Sequence, residues 1–133
     1  MKTKLGRILL IDDDNDSNYF HQRVLKKMDC AKLIETASNG IEGLYKLKTT
    51  SPKPDIIFLD INMPKMDGWE FLKEYEKLSI EERGKVLIMV TSSMNPDDQK
   101  KAETFNCVQG FKIKYLEEQD ISQILSHNFP DYI

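Results

Sequence analysis

Asp12, Asp13 and Asp60 stand where two apolar runs stop: Ile8-Leu9-Leu10-Ile11 ends in Asp12-Asp13-Asp14, and Ile56-Ile57-Phe58-Leu59 ends in Asp60. A short, unbroken apolar run bounded by polar residues reads as a strand buried on both faces. Acids at the tip of such a strand lie at the rim of a sheet, within reach of water and ligands. Carboxylates brought together repel one another, so the cluster makes sense with a divalent cation among them. That chemistry requires the two runs to be neighbouring strands. Two further polar groups close strand-like segments: Thr91 ends Leu87-Ile88-Met89-Val90, and Lys114 follows Val108–Ile113.

The elements that must position these groups alternate along the chain. Expected strands are Arg7–Ile11, Lys32–Ala37, Asp55–Asp60, Lys85–Thr91 and Val108–Ile113. Five amphipathic stretches lie among them. The first, from about Asn15 to Met28, sets Phe20, Val24 and Met28 on one stripe beside Leu25, with Asp14 as its cap and His21 on its polar side. The second opens at Asn39 with Glu42 three residues on, and carries Ile41, Leu44 and Leu47. The third opens at Asp67 with Glu70 three residues on; Trp69 lies just inside it as a packing residue. The fourth opens at Asn95 with Pro96 in its first turn, and the fifth runs from about Glu117 to Asn128. Strands alternating with helices predict an α/β domain with a doubly wound, five-stranded parallel sheet and five helices. The strand order 2-1-3-4-5 places strands one and three side by side at the topological switch point, where such sheets bind ligands. Those are the strands that end in acid.

Composition bounds the rest. A chain of 133 residues, 40% hydrophobic and 31% charged, suits one domain with one core. The net charge of −3 and basic runs no longer than two residues argue against nucleic acid as a direct partner. No run approaches the roughly eighteen apolar residues of a membrane span, and none near the N-terminus resembles a signal sequence. Cys30 and Cys107 are isolated and lack metal-ligand spacing. The expectation is a reduced, cytoplasmic protein with no membrane partner.

The strand-end set of Asp12, Asp13, Asp60, Thr91 and Lys114 resembles the receiver domain of two-component response regulators, and most closely its single-domain, CheY-like members. The resemblance runs from Arg7 to about Asn128 within a single domain taken as residues 1–133, and is densest over Pro54–Gly68. It implies a flavodoxin-like fold and a phosphoacceptor at Asp60, charged by a histidine kinase or histidine phosphotransfer protein. It implies Mg²⁺ on Asp13 and Asp60, with Asp12 holding a coordinated water and the Asn62 backbone carbonyl supplying another oxygen. Lys114 and Thr91 would each bond a phosphoryl oxygen. Thr91 would then pull toward the phosphoryl group and let Phe111 rotate, reshaping a protein-binding surface of fourth helix, fifth strand and fifth helix. Hydrolysis of its own acyl phosphate would leave the protein a signalling module and not a conventional enzyme.

The chain departs from the family at one point. Pro usually follows the lysine through a cis bond, and here Tyr115 follows Lys114. A cis bond before a non-proline costs about 2.5–4 kcal/mol, so the sequence leaves that bond cis or trans. Lys112 competes for the lysine role, since strand alternation puts it on the same side as Lys114; spacing from Gly110-Phe111 favours Lys114. Three other readings compete. A calcium loop on Asp12, Asp14 and Asp16 fails because Ser17 replaces its turn glycine and Arg23 its bidentate Glu. A dehalogenase-like phosphatase needs a second acid two residues after its nucleophile, where Asn62 stands. A pseudo-receiver that binds partners without phosphorylation stays open.

Overall fold

The computed structural model describes residues 4–93 and 95–131; Met94 and both ends of the expected 1–133 domain lie outside the described residues. Its five strands are β1 (Leu5–Ile11), β2 (Ala31–Ala37), β3 (Ile56–Asp60), β4 (Val86–Thr91) and β5 (Gly110–Ile113). They form one parallel sheet in the order β2-β1-β3-β4-β5. Five helices cover it: α1 (Asn15–Met28), α2 (Gly40–Thr49), α3 (Gly68–Tyr75), α4 (Pro96–Glu103) and α5 (Glu118–Asn128). This is the predicted flavodoxin-like architecture.

The pleat sorts the core. Odd-numbered Leu9, Ile11, Ile57, Leu59, Leu87 and Met89 pack with Leu44, Leu47, Phe71 and Ala102 from α2, α3 and α4. Even-numbered Ile8, Leu10, Ile56, Phe58, Ile88 and Val90 pack with Leu25, Ile121 and Ile124 from α1 and α5. Alternating side chains send each strand's residues to opposite faces, and buried parallel strands need both faces apolar.

The strand bounds shift slightly from expectation. β5 starts at Gly110, because Val108 turns back to donate its N–H to the Phe105 carbonyl at 3.1 Å. Asp55 does not extend β3; its buried carboxylate accepts from the Gly6 N–H at 2.6 Å, fastening the end of the sheet opposite the acids.

Side-chain caps set the helix starts. Asp14, Asn39, Asp67 and Asn95 each accept an N–H of the first turn, and Asp67 with Glu70 completes a capping box.

Two expected helix faces are corrected. Ile41 is 53% exposed, and α2 instead buries Gly40, Gly43, Leu44 and Leu47. A Cβ on Gly43 would lie 2.6 Å from Ile11 Cδ1, so the close approach of helix to sheet leaves room for a side chain here only if the buried Ile11 side chain shifts. On α1, Phe20, Val24 and Met28 are only partly covered, while Ser17, Asn18, His21 and Leu25 are buried. His21 is therefore not a surface residue: it is 5% exposed and faces the sheet. Polar groups take that ridge because it borders strand ends whose backbone groups need partners.

Candidate functional site

Register alone brings the acids together. Ile11 pairs with Leu59 across β1 and β3, so the next residues along each strand, Asp12 and Asp60, emerge side by side. Carboxylate oxygens of Asp12, Asp13 and Asp60 all lie within 4.8 Å of one another. Asp12 and Asp60 are buried and Asp13 is exposed. Asp14 stays out of the cluster as the α1 cap, accepting from the Asp16 N–H at 2.9 Å.

The loop after β3 is folded tightly over the site. The Gly68 N–H donates to the Ile61 carbonyl at 2.7 Å. A Cβ on Gly68 would meet the Asp60 carbonyl oxygen at 2.7 Å and Ile61 Cα at 2.9 Å, so glycine is required where α3 starts. Asn62 follows on that loop and is exposed.

The ammonium that meets the acids is Lys114's. Its Nζ donates to Asp12 Oδ2 at 2.9 Å and lies 3.5 Å from Asp60 Oδ1 and 3.4 Å from Ser17 Oγ. Lys112 makes neither carboxylate contact among the described residues. The Lys114–Tyr115 bond is cis.

Electrostatics follow from three acids and one buried cation. Burial, and then the neighbouring Asp12 charge, push the Asp60 carboxyl up to about 7 against the pull of Lys114. Asp12 is also raised, by burial, although the Asp14 N–H and Lys114 oppose it. Burial works against the Lys114 charge, but hydrogen bonding and attraction from Asp12, with Asp60, hold its ammonium above the usual value. The pocket thus carries negative charge that one ammonium leaves uncompensated, surrounded by oxygen donors. That donor set fits a hard divalent cation such as Mg²⁺.

Thr91 is buried, and its hydroxyl donates to the Ser93 carbonyl at 3.1 Å rather than to the acids. Phe111 is half-buried and packs against the core on the α2–α4 face. Trp69 packs against the same cluster, stacked on Phe105 at 6.2 Å with Lys101 Nζ 4.7 Å from its ring centre.

Three residues to which sequence reasoning gave no part in the site, His21 among them as an expected surface residue, stand beside it. Ser17 touches Lys114, Asn18 Nδ2 donates to the Asp12 carbonyl at 2.9 Å, and His21 Nε2 accepts from the Leu116 N–H at 2.9 Å. Their signal was helical spacing with Leu25 (positions 18, 21 and 25), which apolar counting hides. Burial, with the nearby Lys114 charge, pulls His21 down to about 4.

Comparison with known proteins agrees with this arrangement. The sequence profile described as response regulator receiver domain matches residues 8–126. The chain is 38% identical over 94 residues to the sensor histidine kinase CheAY of Helicobacter pylori, covering 71% of this chain and 11% of that protein. It is 31% identical over 134 residues to protein-glutamate methylesterase/protein-glutamine glutaminase 2 of Koribacter versatilis, covering 100% of this chain and 34% of that one. The chain therefore spans between about a tenth and a third of these relatives' lengths. The crystal structure of a two component response regulator from Cytophaga hutchinsonii superposes with a TM-score of 0.85 at 27% identity, covering 96% of this chain and 99% of that one. Among the described residues no helix is long and apolar enough to cross a membrane. A family match over nearly all of the sheet and its helices, joined to this strand order, places the chain in the response regulator receiver domains of two-component signalling.

Proposed function

We propose that Asp60 accepts a phosphoryl group from a cytoplasmic histidine kinase or histidine phosphotransfer protein, and that the charged form signals through altered protein binding. The observation that carries this reading is the Lys114 ammonium, 2.9 Å from Asp12 and 3.5 Å from Asp60, beside three converging carboxylates. An Asp60 oxygen attacks phosphorus, a new P–O bond forms, and the P–N bond to the donor imidazole breaks. The imidazole leaves with a proton from solvent, and the product is a labile acyl phosphate. Such a transfer asks mainly for positioning and charge neutralisation.

Asp13 and Asp60, the Asn62 carbonyl, and Asp12 through a coordinated water are the groups that would hold Mg²⁺, which when bound offsets the charge on the acids and on the phosphoryl oxygens. Lys114 neutralises a second phosphoryl oxygen as a point charge. Thr91 supplies a hydroxyl to a third, and to do so its side chain must release the Ser93 carbonyl. That exchange links the acids to the β4–α4 connection and to Phe111, and so to a docking surface of α4, β5 and α5. The added charge of about −1.5 to −2 would shift the balance between two packings.

Intact mass after incubation with Mg²⁺ and phosphoramidate tests the reading. A gain of one phosphoryl group, absent in Asp60→Asn, supports it. No gain in the wild-type chain refutes it and favours a phosphorylation-independent binding module.

A further inference from the structure

The inner face of α1 carries a row of polar side chains that phosphoryl transfer itself does not use. Ser17, Asn18 and His21 are 0%, 7% and 5% exposed, more deeply buried than Phe20, Val24 and Met28 of the same helix. Burying polar groups at core-facing positions is unfavourable unless each is bonded. Each of the three reaches a different part of the strand-end rim. Ser17 meets the Lys114 ammonium, Asn18 donates to the carbonyl of Asp12, and His21 accepts from the amide of Leu116.

The His21 bond joins residues 95 positions apart and is buried at both ends. Accepting at Nε2 makes the imidazole neutral, with its proton on Nδ1. Burial and the nearby ammonium favour that neutral form.

The amide it holds lies on the short connection between β5 and α5. The Lys114 N–H donates to the Thr91 carbonyl at 2.9 Å, and the Glu117 N–H is taken by Asp120 at 2.9 Å as α5 begins. Between these anchors the backbone is held by the Leu116 N–H bond to His21. The Tyr115 ring closes the contact from outside, 4.9 Å from the Phe20 ring and 5.6 Å from the His21 ring.

We propose that His21 is a positioning residue which, by holding the Leu116 amide, sets the path of the β5–α5 connection and so the placement of the Lys114 ammonium against Asp12 and Asp60. The rate consequence rests on the reading of Asp60 as phosphoacceptor; the placement itself does not. Among the described residues His21 hydrogen-bonds to the Leu116 amide and not to the carboxylates of Asp12, Asp13 or Asp60, so on this proposal its loss acts through Lys114. A displacement of about 1 Å at a reacting group costs up to about 100-fold in rate.

Three measurements on the full chain decide the matter. Phosphorylation by phosphoramidate is expected to slow by about 10- to 100-fold in His21→Leu, with calorimetric Mg²⁺ affinity undiminished or raised. In His21→Gln, whose amide oxygen reaches the Nε2 position, the rate recovers to at least about a third of wild type. In a Lys114→Ala background, His21→Leu produces no further slowing. A rate in His21→Leu equal to wild type, a parallel loss of Mg²⁺ affinity, or an additive loss in the double variant each overturns the proposal.

Should His21→Leu fail to fold, His21→Asn takes its place with the same expectations, because its shorter amide ends at the Nδ1 position. The ¹⁵N-edited NMR signal of the Lys114 ammonium in metal-free protein supplies a readout independent of any phosphoryl transfer. It is expected in wild type and His21→Gln and lost in His21→Leu; its persistence in folded His21→Leu overturns the proposal even if the wild-type chain takes up no phosphoryl group. That last result, by itself, would refute only the function proposed for Asp60.

Discussion

Neutralising Asp60 in the metal-free protein should stabilise the fold, and the gain should depend on pH. The carboxyl rises from 3.8 to about 7 on folding, a gap of about three pH units, each worth about 1.4 kcal/mol. A group whose folded value exceeds its unfolded value holds more protons when folded, so its contribution to stability is fully present below about pH 4 and lost as pH climbs to 7. The wild-type chain thus loses stability over that window, with a ceiling of about 4 kcal/mol. Asp60→Asn has no charge to bury and escapes the loss. Relaxation around Lys114 and water entry at the rim reduce the ceiling, and a gain of about 1–3 kcal/mol at pH 8 is expected. Urea denaturation in EDTA, followed by the single tryptophan, Trp69, at pH 4, 5.5, 7 and 8, measures it. Below pH 4 the two proteins should converge. If Asp60→Asn is the less stable protein at pH 8, or if its advantage is the same at every pH, the account of an uncompensated acidic pocket is wrong.

Removing the opposing charge should do the reverse. Lys114→Met leaves Asp12 and Asp60 facing one another without a cation, a loss of about 3–5 kcal/mol at pH 8 for a broken buried pair; in urea melts it should shrink toward pH 4 and on adding Mg²⁺. Gly68→Ala drives a Cβ to 2.7 Å from the Asp60 carbonyl oxygen; denaturation should show a loss of about 1–3 kcal/mol or more, with weakened Mg²⁺ binding in calorimetry. Thr91→Ala should still take up a phosphoryl group by mass. The ring resonances of Phe111 should shift on adding a beryllofluoride mimic to wild type and stay still in that variant.

Much of this was open to reading in the chain itself, and the reasons are local. Caps such as Asn39 and Asp67 act within one turn, so their residue types announce where helices begin. The apolar runs that end in acid give the strands, the acids themselves favour an order with strands one and three adjacent, and the β1–β3 register then sets Asp12 beside Asp60. What stayed hidden depends on distant partners. His21 looked like a surface residue because a histidine on a helix offers no apolar signal, and the amide that draws it inward belongs to Leu116 at the far end of the chain. Lys112 and Lys114 share a parity, so alternation could not choose between them; the turn out of β5 does. Ile41 follows the same lesson, exposed because two glycines let α2 settle on a different face.

The pleat also divides labour between the two sides of the sheet. Asp12 and Asp60 line a small buried recess with even-numbered Leu10, Phe58 and Val90 and with Asn18 and His21 of α1. Phe111, in register with Met89, belongs to the opposite side, above α4. On the proposed reading, charge would therefore be received in one layer and its arrival announced in the other, the two meeting at the strand tips. On that reading, substitutions on α4 would alter what binds there without disturbing the acids. A one-residue insertion in β4 would exchange the faces of the residues beyond it and, on the proposed reading, silence the relay, while every apolar residue stayed apolar.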